Sequence, residues 1–569
     1  FDYMILNLFL FVSLPVALLI STIGYGLIFN NIFLKKNNYL NISVLGFLGL
    51  FTLYFISSIT HIFVAHNYIH NILVLFFGLI FFIFFKKKLY NDEIKIVLIF
   101  FIILFIGFFI SKTNEDFPYY HLPMSLQLVQ QKLQFGLGNI NIAYNHFSSL
   151  FHINSLFYFP VTKIYLFNFT NFLFQIFFFS GLVIILKKND IPDFSKVLIG
   201  LVLSIYITKF NRLAEYGVDY AGQLLVIFSI IIASIVFFNK RIKKENDSFA
   251  LFELSFYLMF FAITTKFMYL IYFLIPLFMG LKILGVKNLL FYFLNKKFLF
   301  IAFFSLVSLL FYNFSLSGCL IYPVSQTCFF DSVGWTLDEE LMKHVKLHYS
   351  AWSKAGIGAG FALNDLENYV LNFNWISNWT KEYFFNKVSD FFFLILFFLL
   401  VIFLIFRKNI KTKKPQKNQI FNFTFFYSLI LTVFLIWFLN FPTLRYAGYS
   451  IMLLLFICPF CLFLSNRIYF DDKVIKKFSV FFIILIVIFN LRNIDRINKE
   501  LSLKEYEHHN FKNFPFFWVF SPNYNILNNK FIDLNLVESS RCWATPSVCI
   551  HEDNLEIKKS KIFIIFSRK

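Results

Sequence analysis

Two carboxylates and a set of ring side chains follow one apolar stretch of this chain closely enough to share a site. Residues 93–110 are long enough to cross the roughly 30 Å of hydrocarbon in a bilayer as a helix, and Glu115 and Asp116 come shortly after them. Carboxylates held just outside hydrocarbon lose part of their hydration, so they need a cation, a metal ion or a substrate hydroxyl as a partner. The ring side chains that follow are Tyr119, Tyr120 and His121. These residue types predict an active-site loop over about 114–160.

Charged residues from three other segments are expected at the same membrane face as this loop. They are Arg212, Glu215 and Asp219 in the turn after the sixth predicted span, Lys266 between the eighth and ninth spans, and Arg445 at the start of the thirteenth. Acids and bases that converge there can activate a hydroxyl and hold a phosphate or pyrophosphate. One acid would act as the base, and the cations would neutralise the charge that develops on a leaving group. As an alternative, the three acids Asp116, Glu215 and Asp219 share a divalent metal ion, Mg²⁺ or Mn²⁺, with the pyrophosphate.

Each of these residues also has an ordinary structural interpretation. The acidic pair suits a solvated helix end, and the histidine suits a structural position at the interface. Arg212 and Glu215 have the i, i+3 spacing of a local salt bridge. Lys266 has a stem long enough to reach the interface, and Arg445 suits an interfacial anchor. The spacing alone leaves these alternatives open.

The composition places the chain in a membrane. Of its 569 residues, 59% are hydrophobic and only 14% are charged, with a mean hydropathy of +0.70. The formal net charge of +20 comes from short basic clusters in every second connector between apolar runs. This is the positive-inside pattern, and it excludes nucleic acid as a partner, which would need one contiguous basic face. Membrane lipids are the expected surroundings.

The apolar runs predict an all-α polytopic membrane protein with about fourteen transmembrane helices. The predicted spans are 4–29, 41–64, 69–85, 93–111, 164–186, 194–210, 218–238, 249–264, 267–282, 297–314, 388–406, 420–439, 444–465 and 474–491. The chain begins at Phe1 and not at Met, which leaves open whether residue 1 is the true N-terminus. Residues 4–29 are too long and apolar for a cleaved signal, so they are interpreted as the first span.

Alternation of the spans sets the expected topology. Basic connectors fall in the cytoplasm, whereas loops 112–163 and 315–387 and the tail 492–569 fall outside. One alternative is a single kinked helix over 249–282, which would invert everything downstream. The basic connectors at 407–419 and 466–477 argue against it.

Two outer segments are large enough to carry structure of their own. In loop 315–387, the run from Thr336 to Glu339 has the pattern of a capping box and predicts a helix start. The tail has short alternating runs at 531–537 and 562–566, which predict a small extracytoplasmic C-terminal α/β appendage. The expected division is N-terminal helices over 1–92, a membrane core over 93–491 and the tail over 492–569.

Two cysteine pairs lie in the predicted outer segments. Cys319 and Cys328 are nine residues apart, and Cys542 and Cys549 are seven apart. Local pairs outside the membrane predict two disulfides in an oxidising compartment, with free thiols as the alternative. The spacings do not suit a two-cysteine zinc knuckle.

Several short motifs together resemble the GT-C superfamily of membrane glycosyltransferases, and more narrowly a bacterial branch of it. An acidic pair opens the first large outer loop, and amphipathic segments over 122–135 and 148–159 follow it. The motifs that carry the likeness are Asp116-x-x-Tyr119-Tyr120-His121-Leu122-Pro123, Phe135-Gly136-Leu137-Gly138-Asn139, Asn145-His146-Phe147-Ser148-Ser149, Glu215-Tyr216-Gly217-x-Asp219 and Cys542-Trp543-x-x-Pro546-x-x-Cys549. In architecture the likeness covers roughly residues 93–490.

The resemblance implies a GT-C-like fold and an inverting glycosyltransferase. The donor would be a polyprenyl-phosphate-linked sugar, the acceptor a glycan or lipid, and the location the outer face of a bacterial cytoplasmic (inner) membrane. In such enzymes the loop carboxylate is the general base, which Asp116 would match, with Glu115 and His121 as further catalytic candidates. Residues that would bind substrate are Tyr119, Tyr120, Arg212, Lys266 and Arg445. Where a member uses a metal ion, its ligands here would be Asp116, Glu215 and Asp219.

The sequence also departs from the GT-C pattern. Three spans precede the core helix, and the acidic pair lacks a spaced Asp-x-Asp arrangement, which leaves the metal and the acceptor open. A flippase or transporter of lipid-linked glycan is one competing function, but it would require ionisable residues and broken helices at mid-membrane. A polysaccharide polymerase or ligase is another, and it shares the chemistry. Charged residues that cluster at the outer face favour the enzyme.

Overall fold

A computed structural model describes most of the chain. The described residues are 2–34, 40–109, 114–188, 190–211, 213, 217–239, 245–330, 332–358, 361–407, 410, 417–468, 472–502, 522–560 and 562–568.

Helices dominate the described residues, because backbone polar groups in hydrocarbon must be satisfied within their own segment. In chain order they are α1 Asp2–Phe33, α2 Ile42–Phe63, α3 Tyr68–Phe85, α4 Asn91–Leu104, α5 Leu122–Gln130, α6 Ser149–Ser155, α7 Phe169–Leu186, α8 Asp193–Lys209, α9 Asp219–Phe238, α10 Glu245–Thr265, α11 Leu270–Leu284, α12 Val286–Phe293, α13 Lys296–Ser317, α14 Glu339–Ser353, α15 Leu366–Val370, α16 Ile376–Trp379, α17 Ser389–Phe406, α18 Lys417–Asn440, α19 Tyr449–Ser465 and α20 Asp472–Ser502. Short π-helical turns cover Phe117–His121, Thr380–Val388 and Leu444–Gly448.

Twelve of the described helices are long and apolar enough to cross a membrane, so the chain is an integral, polytopic membrane protein. They are α1, α2, α3, α7, α9, α10, α11, α13, α17, α18, α19 and α20. The two other predicted spans, 93–111 and 194–210, fall on α4 and α8. These helices have 14 and 17 residues, and a 3₁₀ turn over Phe105–Phe109 extends α4. Their assignment as spans stays a prediction.

The chain breaks between α10 and α11, as two spans require. Lys266 has extended backbone angles (φ −163°, ψ 122°) between the two helices. Phe273, early in α11, packs on Phe260, late in α10, with 5.6 Å between ring centroids. A Cβ on Gly280, late in α11, would contact the ring of Phe252 at 3.7 Å. The two helices therefore form an antiparallel hairpin, and the prediction of two spans is confirmed.

The connectors alternate between two faces of the helix bundle. We call the face that carries residues 114–160 the site face. The connection from α13 to α17 and the strands of the C-terminal tail contact this loop, so they share that face. The opposite face, which we call the basic face, carries the connectors with Lys86, Lys187 and Lys296. At this end of the helices the Ile42 N–H donates to Glu93 at 2.9 Å, Lys188 interacts with Glu93, and Lys297 donates to the Ile32 carbonyl.

Short helices and strands cover the site face. The strands are β1 Ile357–Gly358, β2 Phe361–Ala362, β3 Tyr524–Leu527, β4 Leu534–Val537, β5 Cys549–Ile550, β6 Leu555–Lys559 and β7 Ile564–Arg568. β3 pairs antiparallel with β4, β4 parallel with β5, and β6 antiparallel with β7. The predicted strand runs at 531–537 and 562–566 thus correspond to β4 and β7, while residues 492–502 of the tail continue α20.

Two local details differ from the sequence expectations. α14 begins at Glu339 as expected, but Asp338 caps it by accepting the N–H groups of Glu340 and Leu341. The Thr336 hydroxyl donates to the Phe329 carbonyl instead, so the capping box does not form. α5 ends at Gln130, short of the expected 135. Gln131 is extended, the Leu133 N–H donates to the His61 carbonyl, and Phe135 pairs with β7.

Both predicted disulfides are present, Cys319–Cys328 and Cys542–Cys549. Cys458 and Cys461 in α19 are free and buried. The second disulfide closes the part of the tail that contacts the site loop.

The tail packs directly on the site loop. Phe135 forms a parallel bridge to β7, with its N–H donating to Ile564 at 3.0 Å and its carbonyl accepting from Phe566 at 2.9 Å. The Trp543 N–H donates to the Pro118 carbonyl at 3.0 Å. The tail therefore holds both ends of the segment that carries the candidate catalytic residues.

Candidate active site

Four charged side chains from four separate segments form one ion cluster on the site face. Arg445 donates from Nη2 to Asp116 Oδ2 at 2.5 Å and from Nε to Asp219 Oδ2 at 2.8 Å. Lys266 Nζ donates to the other oxygen of Asp219 at 2.6 Å. We call Asp116, Arg445, Asp219 and Lys266 the ion cluster.

Asp116 immediately precedes the π-helical turn Phe117–His121. The Asp116 side chain does not cap this turn. It is therefore free to reach Arg445, 329 residues away in the sequence. Pro118 fixes the turn by accepting the hydrogen bond from the tail.

Asp219 is the first residue of α9, and its side chain is only 5% exposed. The Tyr269 hydroxyl donates to the Asp219 carbonyl at 3.0 Å. Before it, Gly217 has φ +51°, which favours glycine, and a Cβ there would lie 2.6 Å from the His121 ring. The Asn171 amide donates to the Gly217 carbonyl at 3.1 Å, which anchors the turn beneath the cluster.

Lys266 lies at the break between α10 and α11. Its backbone N–H still donates to the Ala262 carbonyl, so Lys266 directly continues the last turn of α10. The ammonium lies 4.5 Å from the ring centroid of Tyr446, within the range of a cation–π contact. Lys266 therefore contacts both the Asp219 carboxylate and the Tyr446 ring.

Arg445 lies in a kink that precedes α19, where Ala447 has φ +65°. Side chains from other helices hold this non-helical backbone. The hydroxyl of Tyr383 accepts from the Leu444 N–H, and the hydroxyl of Tyr272 donates to the Ala447 carbonyl. Trp379 donates from Nε1 to the Pro442 carbonyl at 2.8 Å. The kink turns Arg445 toward both carboxylates, and its conformation depends on the packed bundle.

The cluster keeps Asp116 ionised. Burial acts to raise the pKa of its carboxyl, but the Arg445 guanidinium outweighs burial and holds the pKa below its ordinary value. Arg445 occupies Oδ2, and no other described residue donates to Oδ1. Asp116 is also 28% exposed, against 5% for Asp219. Asp116 can therefore receive a proton from an arriving hydroxyl, whereas Asp219 is enclosed by its two cations.

His121 lies beside the cluster as a neutral imidazole. Burial lowers its pKa to about 4, and its Nε2 has no hydrogen-bond partner among the described residues. Tyr120 packs against it with 4.4 Å between ring centroids, and Tyr119 lies next to Tyr120. These three predicted site residues thus line the same region as Asp116.

The remaining predicted site residues lie elsewhere or outside the description. Glu115 is exposed and makes no described contact with the ion cluster. Arg212 and Glu215 lie outside the described residues, so their predicted roles are not tested.

The described carboxylates do not by themselves fit a divalent metal ion. Arg445 lies between Asp116 and Asp219, and with Lys266 it balances their two charges. No group of three or more His, Cys, Asp or Glu side chains that could hold a metal occurs in the described part of the chain. Because the third expected ligand is outside that part, the metal stays a prediction.

Three residues at the cluster were not picked out from the sequence: Tyr349, Trp352 and Tyr446. Trp352 lies over the Arg445 guanidinium at 5.7 Å from ring centroid to Cζ. The hydroxyl of Tyr349 is 2.8 Å from His146 Nε2. The available signal was weak, since an i, i+3 pair of rings on an amphipathic helix is also the pattern of ordinary packing.

Comparison with known proteins gives a family and no described activity. The family described as Domain of unknown function (DUF8201) matches residues 4–452, which is more than half of the chain and includes all four members of the ion cluster. The match ends before α20 and the strands of the tail. No curated protein and no solved structure matches. The chain therefore belongs to the DUF8201 family.

Proposed function

We propose that this protein is a membrane glycosyltransferase of GT-C type. It transfers a sugar from a polyprenyl-phosphate-linked donor to an acceptor hydroxyl at the outer face of a bacterial cytoplasmic membrane. The observation that carries the proposal is the ion cluster, in which a carboxylate that is 28% exposed is joined through Arg445 to a second carboxylate and a lysine. Two of the motifs that resemble the GT-C superfamily contain the carboxylates of this cluster, Asp116 and Asp219.

Asp116 is the proposed base. In the reaction the acceptor oxygen bonds to the anomeric carbon while the bond from that carbon to the phosphate oxygen breaks. The acceptor proton passes to Asp116, and the bonding electrons leave with the lipid phosphate. Because the acceptor attacks opposite the leaving phosphate, the configuration at the anomeric carbon is inverted. A carboxylate held ionised by Arg445 is ready to accept that proton at neutral pH.

Lys266 and Arg445 are the proposed partners of the phosphate. Their side chains are 23% and 39% exposed, so each retains donors that an arriving anion can reach. Leaving phosphate gains negative charge as the bond breaks, and fixed cations stabilise that charge most where water is scarce. Asp219 would hold both cations in place without touching the substrate.

The outer face is proposed from two features. Both disulfides lie in site-face segments, and disulfides persist in oxidising compartments. The lysine-containing connectors lie at the opposite face, where the positive-inside rule places the cytoplasm.

Sugar transfer in reconstituted vesicles tests the proposal. Wild type, Asp116→Asn and Glu115→Gln would be compared on a panel of polyprenyl-phosphate sugars with radiolabelled sugar. Asp495→Asn, an exposed carboxylate of α20, is the matched control. We expect one donor to be consumed, with loss of transfer in Asp116→Asn alone.

Other outcomes have definite meanings. If Glu115→Gln fails and Asp116→Asn does not, the base is Glu115. If wild type consumes no donor but moves a lipid-linked glycan across the vesicle membrane, the transferase proposal is wrong and the flippase alternative replaces it.

A further inference from the structure

Three aromatic side chains lie over the ion cluster, and part of the surface of each ring is exposed. The rings of Trp352 and Tyr446 lie 5.8 Å apart, inclined by 55°, and Tyr349 lies one helical turn before Trp352 on α14. All three side chains are half-buried. We call these three residues the aromatic wall.

The aromatic wall is fixed to the catalytic groups on both sides. Trp352 covers the Arg445 guanidinium, and Tyr446 covers the Lys266 ammonium at 4.5 Å. Tyr349 is tied to the site loop by the contact of its hydroxyl with His146. A molecule that reached the two cations would therefore lie against these rings.

Ordinary packing does not account for these rings. Trp375 and Trp379 belong to the same site-face connection and are 1% and 6% exposed, as core residues are. Trp352 keeps an accessible surface although it lies next to the ion cluster. Tyr446 and Ala447 both have non-helical backbone angles in the kink beside Arg445, and such strained backbone is retained where the site requires it.

We propose that the aromatic wall binds a pyranose ring of the substrate, stacked on Trp352 and Tyr446. This inference rests on the proposed function and adds the chemical class of ligand that the rings select. The C–H face of a pyranose is apolar and flat enough to cover an aromatic ring, while its rim of hydroxyls can bond to the phenol of Tyr349 and to the cluster. Sites of this kind combine apolar and aromatic surface with a few polar groups that set orientation.

The stacked ring has two possible sources, the donor sugar and a sugar of the acceptor. The shared chemistry is the pyranose ring, and the two sources differ in which kinetic constant they affect. Loss of the ring face weakens donor binding in the first case and acceptor binding in the second.

The test compares wild type with Trp352→Leu, Trp352→Phe and Tyr446→Leu in nanodiscs. Phe361→Leu is the matched control, since Phe361 is an exposed ring of the same site-face connection. One measurement is binding of short oligosaccharides of glucose, galactose, mannose and N-acetylglucosamine by saturation-transfer NMR. The other is the apparent KM for donor and for acceptor in the transfer assay.

We expect Trp352→Leu to weaken saccharide binding, or to raise one KM, by about tenfold, the upper range for loss of one aromatic face. Trp352→Phe should recover most of that loss, and Tyr446→Leu should repeat it if the first variant folds poorly. A change in the donor KM assigns the ring to the donor, and a change in the acceptor KM assigns it to the acceptor.

Failure of this inference differs from failure of the proposed function. If saccharide binding depends on Trp352 but no donor is consumed, the aromatic wall stands and the transferase proposal fails. If transfer occurs and every aromatic variant keeps wild-type saccharide binding and both KM values, the inference is overturned. In that case the rings are interfacial anchors of the kind found at membrane surfaces.

Discussion

The two carboxylates of the ion cluster should have different roles: we expect Asp219 to contribute mainly to stability and Asp116 mainly to activity. Asp219→Asn removes the charge of a side chain that is 5% exposed and bonded to two cations, at 2.6 Å and 2.8 Å. Asp116→Asn removes a carboxylate that is 28% exposed and bonded to Arg445 only. Both substitutions keep the side-chain shape, so the difference reports charge and burial.

The magnitudes follow from burial. Loss of one partner of a fully buried pair costs about 3–5 kcal/mol, but Lys266 and Arg445 stay partly hydrated, so we expect about 2–3 kcal/mol for Asp219→Asn. A more exposed pair contributes about 0–1 kcal/mol, so Asp116→Asn should cost no more than about 1 kcal/mol. Asp116→Asn should nevertheless abolish transfer, because the proton would have no acceptor.

Unfolding in mixed detergent micelles would measure the free energies, with sugar transfer measured on the same preparations. Asp495→Asn is the control, since its pair with Lys499 is exposed at both ends and follows the i, i+4 spacing of a helix. The assignment of roles is refuted if Asp116→Asn destabilises the protein as much as Asp219→Asn. It is equally refuted if Asp219→Asn unfolds like the control.

Three further predictions concern the pH profile, the turn before α9 and the tail. Arg445 holds the pKa of Asp116 below its ordinary value, so the ionised state and the stability from the pair persist until pH falls through that lowered pKa. In Arg445→Gln the pKa of Asp116 rises. As pH is lowered, residual sugar transfer should therefore be lost at a higher pH than in wild type, which a pH–rate profile would show. Gly217→Ala places a Cβ 2.6 Å from the His121 ring at φ +51°, so we expect a loss of about 1–3 kcal/mol in the same unfolding assay, and wild-type stability would contradict the described turn. Cys549→Ser opens the disulfide that closes the tail, and limited proteolysis should then cut residues 522–568 faster while the membrane helices stay intact; unchanged cleavage would show that the pairing with the site loop alone holds the tail.

Much of the architecture was predictable because it depends on local properties of the chain. Apolar run length predicted the twelve described helices that are long and apolar enough to cross a membrane. The break at Lys266 and both disulfides were also predictable, since each involves residues close together in the sequence.

The candidate site was only partly predictable. The residue types indicated that Asp116, Asp219, Lys266 and Arg445 would meet at one face, and the described structure brings them into one cluster. Sequence patterns could not tell that Arg445 joins the two carboxylates, since it lies 329 residues from one and 226 from the other. Spacing alone could not decide whether the carboxylates bind a shared metal ion or pair with Arg445 and Lys266.

The sequence by itself determined which segments are apolar enough to enter a bilayer, because apolar length is a local property of the chain. It also indicated that the four charged residues of the ion cluster lie at one face. Only the tertiary structure decided the partners of those charges. It placed the aromatic wall over the cations and the tail against the loop of Asp116. These contacts join segments far apart in the chain, and their geometry depends on helices that pack as a whole, so no local pattern could specify them.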